Sequence, residues 1–205
     1  MKAGRPKDLE KRKRILEAAK SLFLECGYEG STMNSIAQKA DVTKLTVYNH
    51  FQDKATLFTA AIEDTCDHLI NASPICLTPD SNFKQALQHT CRLSLDLANL
   101  PEAMKLDALL IKLASQHSPL TLQFYNASHG KLHALWENFF EQAMSLQFIR
   151  RDQPRNPTLL IVSLLMGLRH HEVLMGLRCV PDQSERLAII EDSIDLFMYR
   201  YGSKT

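Results

Sequence analysis

One short stretch of the 205-residue sequence gathers side chains suited to reading a nucleic acid: Thr43, Lys44, Leu45, Thr46, Tyr48, Asn49, His50 and Lys54. At about 100° per residue, Val47 and Phe51 share one side of a helix. Leu45 and Asn49 then point most nearly the opposite way, flanked by Thr46 and Tyr48. In a major groove, a leucine offers methyl groups to a thymine methyl and an asparagine pairs with adenine. Thr43 and Lys44 stand at the helix N-terminus, the end that leads into the groove. Tyr48, His50 and Lys54 flank the helix and suit phosphates. Lys54 also opens the next helix, where free backbone N–H groups favour an anion. On its own, this pattern also fits a plain three-helix cluster that binds nothing.

Other candidate chemistries are thinner. His129 and His133 stand four apart, and His170, His171 and Glu172 are consecutive. Neither group completes a ligand set at a known spacing, so surface or hydrogen-bonded histidines are the simpler reading and no metal site is expected. Cys26, Cys66, Cys76, Cys91 and Cys179 are scattered, odd in number and without a CxxC pair. They read as small apolar residues in a reducing compartment, not as a disulfide framework or an oxidant sensor. No nucleophile elbow, phosphate loop or dinucleotide fingerprint occurs, so neither an enzyme nor a cofactor is expected.

The elements around the stretch read as helices throughout. Ile15, Ala18, Ala19, Leu22, Phe23 and Cys26 make an apolar stripe, and Gly27 can end that helix in a left-handed cap with Tyr28 folding back. Ser31 or Thr32 caps a short helix carrying Met33, Ile36, Ala37 and Ala40. A turn of Asp41, Val42 and Thr43 follows, and Thr43 caps the helix of Val47 and Phe51. Two short helices joined so tightly form a helix-turn-helix, in which Ala37 and Ala40 allow close crossing and Val42 plugs the turn. Asp53 caps a fourth helix with Leu57, Phe58, Ala61 and Ile62 inward. Beyond Pro74 and Pro79, helices are expected over about 81–98, 101–116, 119–147 and 157–178, with a last one after Pro181. The fold class is therefore all-α: an N-terminal helix-turn-helix domain over 1–54, and a larger helical domain over 55–205.

Charge agrees with that division. Residues 1–54 hold eleven basic and seven acidic side chains, a surplus of four, which leaves −3 for the remainder of a chain with net charge +1. A basic front suggests a polyanion contact. Arg5 and Lys7, in the segment GRPK, form an arm that either lies in a narrow A·T-rich minor groove or stays a tail. The N-terminus lacks the apolar core of a signal peptide, and the longest apolar run, 159–168, is too short to span a bilayer. A cytoplasmic protein without a membrane partner is expected.

The segment ILEAAKSLFLECGYEGSTMNSIAQKADVTKLTVYNHFQDKATLF resembles the N-terminal domain of the TetR/AcrR family of bacterial regulators. It shares AAxxLFxxxGY, then ST, IAxxA, V, T, YxHF and DKxxLF, at the family's spacing and over about a quarter of the chain. The resemblance implies a double-stranded DNA operator as partner, contacted by Thr43, Lys44, Thr46, Tyr48, His50 and Lys54. Where the family often has glycine, this chain has Asp41 and Leu45. Asp41 suits a turn, whereas Leu45 adds an apolar side chain and changes any borrowed base preference.

The C-terminal half is similar to the AefR-like branch, and the family resemblance implies a homodimer through the last two helices. Ser163, Gly167, Ile190, Ile194 and Phe197 are the expected interface residues. It also implies a cavity for a small, mostly apolar effector among the middle helices. Leu106, Leu109, Leu110, Leu113, Phe124, Trp136, Phe140 and Met166 are its candidate lining, although each singly reads as core. A bulky change at Leu109 or Leu113 is then expected to alter effector response alone. The expected function is a repressor released from a near-palindromic operator by that effector. The alternative is a DNA-binding regulator with no small effector, controlled by a partner or acting as an activator.

Overall fold

The computed structural model describes residues 6–72 and 74–202. The helices run α1 (Pro6–Gly30), α2 (Met33–Lys39), α3 (Lys44–Phe51), α4 (Lys54–Ala72), α5 (Phe83–Ala98), α6 (Pro101–Ser115), α7 (Leu120–Tyr125), a π turn (Asn126–Gly130), α8 (Lys131–Ser145), α9 (Arg155–Leu174) and α10 (Gln183–Tyr201). No strand forms among the described residues, where one isolated antiparallel bridge joins Ile149 and Gly202. No described helix is long and apolar enough to cross a membrane. The fold is all-α, as the periodicity predicts.

Of the described residues, those within 6–68 and 105–128 pack as one compact unit, and those within 69–72, 74–104 and 129–202 as another. In the first, Ile15, Ala19, Ile36, Val47, Phe51 and Leu57 share a core with Leu106, Leu110, Leu113 and Phe124. Residues 105–128, assigned by sequence to the C-terminal domain, thus belong by packing with the helix-turn-helix. Lys112 reinforces the join with an ion pair to Glu29 at 2.7 Å, and the Lys105 ammonium donates to the Leu24 carbonyl. Cys26, expected on the buried stripe of α1, is exposed, because the helix breaks at the next residue. Gly27 has φ 74°, a value that side chains with a Cβ rarely adopt, and the chain turns there to bring Tyr28 back against Phe23.

The second unit is built on aromatic rings. Trp136, Phe140, Phe197 and Tyr201 stack in succession, with centroids 5.3, 5.1 and 5.1 Å apart. The expected helix over 119–147 is interrupted by the π turn, in which the Ser128 hydroxyl donates to the Phe124 carbonyl at 2.9 Å. Small and polar residues, Asn126 to Gly130, supply little apolar surface to hold a regular helix there. α9 begins with Pro157 in its first turn and is broken at Gly167 (φ 45°, ψ −155°). α10 starts where Asp182 accepts from the Glu185 backbone N–H at 2.9 Å.

The indole N–H of Trp136, wholly buried, donates to Ser94 Oγ at 3.0 Å. Ser94→Ala strands that donor and should cost about 1–3 kcal/mol in chemical denaturation. A Trp136→Phe change made in the Ser94→Ala background should cost less than the same change in wild type, because the donor is then already without its partner.

Candidate nucleic-acid interface

Local chemistry builds the helix-turn-helix one hydrogen bond at a time. Thr32 and Ser35 form a reciprocal capping box at the start of α2. α2 ends at Ala40, and Asp41 takes φ 52°, the left-handed turn where the family often has glycine. Aspartate tolerates that conformation better than most residues, and Arg14 lies 3.7 Å from its carboxylate. The Val42 N–H donates to the Ala37 carbonyl at 3.1 Å, and the Val42 side chain packs on the core. Thr43 Oγ1 accepts the Thr46 N–H at 3.2 Å and so caps α3.

Val47 and Phe51 are buried, and the opposite face of α3 stands in solvent. Leu45 is 70% exposed and Tyr48 40%. Thr43, Lys44 and Asn49 are exposed as well. No side-chain hydrogen bond to a described residue engages Asn49. The Lys44 ammonium lies 5.8 Å from the Tyr48 ring.

Three of the expected contact residues have partners within the unit. Thr46 is half-buried, with its hydroxyl 2.8 Å from that of Thr43. The His50 side chain is 13% exposed, its Nε2 3.2 Å from Asp8 on α1. Lys54 donates to the carbonyls of Tyr28 and Ser31 at 2.9 and 3.2 Å and sits 4.3 Å over the Tyr28 ring. The sequence pattern directs all three toward DNA, and spacing gives that direction without the neighbours found here. Arg5 lies outside the described residues, and of Lys7 only the backbone, in the first turn of α1, is described.

The start of α4 is held by Asp53, whose Oδ1 accepts the Thr56 N–H at 2.7 Å. That hydrogen bond, with the Thr56 hydroxyl, holds the carboxyl below its ordinary value of 3.8. Burial pushes the phenol of Tyr28 up, as expected of a ring packed among Phe23, Phe58 and Phe124.

The remaining candidates divide between the two units. Leu106, Leu109, Leu110, Leu113 and Phe124 pack in or against the first core, whereas Trp136, Phe140 and Met166 belong to the second. The structure therefore does not gather them around one cavity within either unit. In the second unit Met166 borders a cleft with Leu95, Arg169, Val173 and Ile189, whose enclosed space is about 20 Å³. In the first, Leu110 borders an open groove with Ile111, Thr121, Leu122 and Tyr125.

The subunit-contact expectation needs a correction. Ser163 and Gly167 are exposed, but Ile190, Ile194 and Phe197 are 1%, 2% and 0% exposed, spent on their own core. The outward apolar residues of α9 and α10 are Leu159, Leu168, Leu196 and Tyr199. Leu196 and Tyr199 stand three apart, a second apolar phase beside the buried stripe of α10 that the sequence carries openly.

Burial pushes the Cys91 thiol well up, which keeps it protonated, and no disulfide joins the described cysteines. Burial, with His129 and Arg155 nearby, holds His133 below the usual histidine value. No group of three potential metal ligands occurs among the described residues.

A helix-turn-helix whose second helix stands clear of its core is the architecture of a DNA-binding regulator. Residues 15–61 match the family profile described as bacterial regulatory proteins, tetR family, and residues 85–203 that of the AefR-like transcriptional repressor, C-terminal domain. The chain belongs to the TetR family of bacterial transcriptional regulators, and the members of that family are transcriptional regulators, not enzymes. It is 32% identical over 83 residues to the HTH-type transcriptional activator FasR of Mycolicibacterium smegmatis, an alignment covering 40% of this chain and 37% of that protein. A TetR-family transcriptional regulator from Mesorhizobium loti superposes with TM-score 0.80 at 24% identity, covering 97% of this chain and all of that one. The flavonoid-responsive regulator FrrA superposes with TM-score 0.76 at 22% identity, covering 95% and 98%. At these identities the two structures attest the fold.

Asp53→Ala should lower stability by about 1 kcal/mol at neutral pH, and Asp53→Asn by less. The depressed carboxyl adds stability that is fully present above pH 3.8 and is lost as pH falls through its folded value. Urea melts of wild type and Asp53→Ala should therefore converge in acid. Lys44→Ala should flatten the salt dependence of DNA binding by about one unit without changing thermal stability. Lys54→Ala removes a charged donor from two carbonyls and should cost about 1.5–3 kcal/mol of stability.

Proposed function

We propose that the protein is a cytoplasmic, homodimeric repressor that binds a near-palindromic DNA operator and is released by a small, mostly apolar effector. The exposed face of α3, raised on the buried pair Val47 and Phe51, carries the DNA-binding half of this reading. Thr43, Lys44, Leu45, Tyr48 and Asn49 make the direct contacts; Thr46, His50 and Lys54 hold the helix in place. Two subunits offer two such helices to successive major grooves. Leu159, Ser163, Gly167 and Leu168 on α9, with Leu196 and Tyr199 on α10, form the subunit contact.

The AefR-like match over 85–203 supports repression, and it covers most of the region assigned to the effector. A neighbour in fold carries a name that says it answers flavonoids. An effector regulates only by binding two conformations with different affinity. α4 is suited to transmit the difference, since its residues 54–68 belong to the first unit and 69–72 to the second.

The second reading, a regulator without a small effector, is favoured in the second unit by the cleft beside Met166, which holds only about 20 Å³, whereas the open groove beside Leu110 in the first unit holds about 440 Å³. Leu113 also packs with the helix-turn-helix, so a bulky residue there overpacks the DNA-binding unit and disturbs operator binding as well as any effector response.

A thermal-shift screen of apolar small molecules distinguishes the readings. Operator DNA should weaken a true effector by the same factor by which the effector weakens DNA binding, roughly 5- to 150-fold. A tight ligand indifferent to DNA is a passenger, and a screen without hits favours the second reading. Leu196→Asp should shift the protein to monomer mass in sedimentation and weaken operator binding.

A further inference from the structure

We infer that α3 selects A·T base pairs in the major groove, Leu45 packing on a thymine methyl and Asn49 pairing with adenine. The inference rests on the DNA-binding reading above and says what that surface prefers. The two side chains stand four apart, so they share a face and reach neighbouring base pairs.

The argument is an inventory of what α3 can and cannot offer. Guanine is read by arginine or lysine reaching O6 and N7, and cytosine by a carboxylate accepting from its amino group. The helix KLTVYNHF contains no arginine and no acidic residue. Its one lysine, Lys44, is exposed, with its ammonium 5.8 Å from the Tyr48 ring, and is assigned to a phosphate, the contact that its effect on the salt dependence reads. The hydroxyls of Thr43 and Thr46 face each other at 2.8 Å, and Thr43 also caps the helix. His50 is turned to Asp8. With Tyr48, 40% exposed, set on a phosphate as well, the outward side chains left for base edges are a leucine 70% exposed and an exposed asparagine whose side chain has no described partner. A leucine so exposed gains only when apolar surface covers it, and the thymine methyl is the apolar group on the major-groove floor. Asparagine's carbonyl and amide match adenine N6 and N7 together.

The test uses the full chain and duplexes selected from a random library. The selected half-site should centre on A·T pairs. That duplex is then remade with dU in place of each dT in turn, which removes one methyl and leaves the pairing intact. At one position wild type should weaken about four-fold, the worth of one buried carbon. Leu45→Ala, a change at an exposed site that should leave thermal stability unaltered, should bind the dT and dU duplexes alike. Asn49→Ala should lose roughly five- to 150-fold in preference for adenine. A half-site centred on G·C pairs overturns the inference while DNA binding stands. So does a full set of dU duplexes that bind like their parent. Failure to enrich any duplex overturns the DNA-binding reading itself, and this inference with it.

Discussion

The ring of Tyr28 lies 6.2 Å from that of Phe23, 4.9 Å from Phe58 and 5.4 Å from Phe124, and the Lys54 ammonium sits 4.3 Å above it. Four side chains, from α1, α4 and α7, converge on that one ring. It reaches them because Gly27 breaks α1 with a positive φ. The same lysine binds the carbonyls of Tyr28 and Ser31, groups left over where one helix ends and before the next is capped. With the end of α1 fixed, α2 and α3 have a floor to pack on, and α3 can turn polar and apolar side chains outward without support from any other element. The exposure of Leu45 is affordable only on such a floor.

Much of this was legible because it follows from period and capping. The inward pair Val47 and Phe51, the small contacts Ala37 and Ala40, the plug Val42 and the caps Thr43 and Asp53 all sit where spacing puts them. A turn at Asp41 was legible from residue type, and its left-handed φ of 52° was not. What escaped was partnership across the fold. Nothing in the spacing of α3 says that Asp8 stands opposite His50, or that the amine of Lys54 is taken by backbone carbonyls. Nor does an apolar stripe say which core it joins. Leu106, Leu110 and Leu113 lie late in the sequence, yet their packing is with α1 to α4.

The second unit shows the same limit from the other side. Ile190, Ile194 and Phe197 have the stripe expected of a subunit contact, but the ring series from Trp136 to Tyr201 claims Phe197, and the unit's own core claims the isoleucines. A helix with two apolar phases gives sequence no means of ranking them. Burial ranks them: the phase that finds rings to stack on turns inward, and Leu196 and Tyr199 are left to the solvent side.

The break at Gly167 divides α9 in the middle of what sequence reads as a single helix. A helix beginning anew after such a break has first-turn amides without carbonyl acceptors one turn back. Those protons depend on solvent or on side chains, so they trade for deuterium through small local openings, while their neighbours wait for larger ones. To an exchange measurement α9 is two helices that happen to be consecutive, with a seam beside the exposed side chain of Leu168.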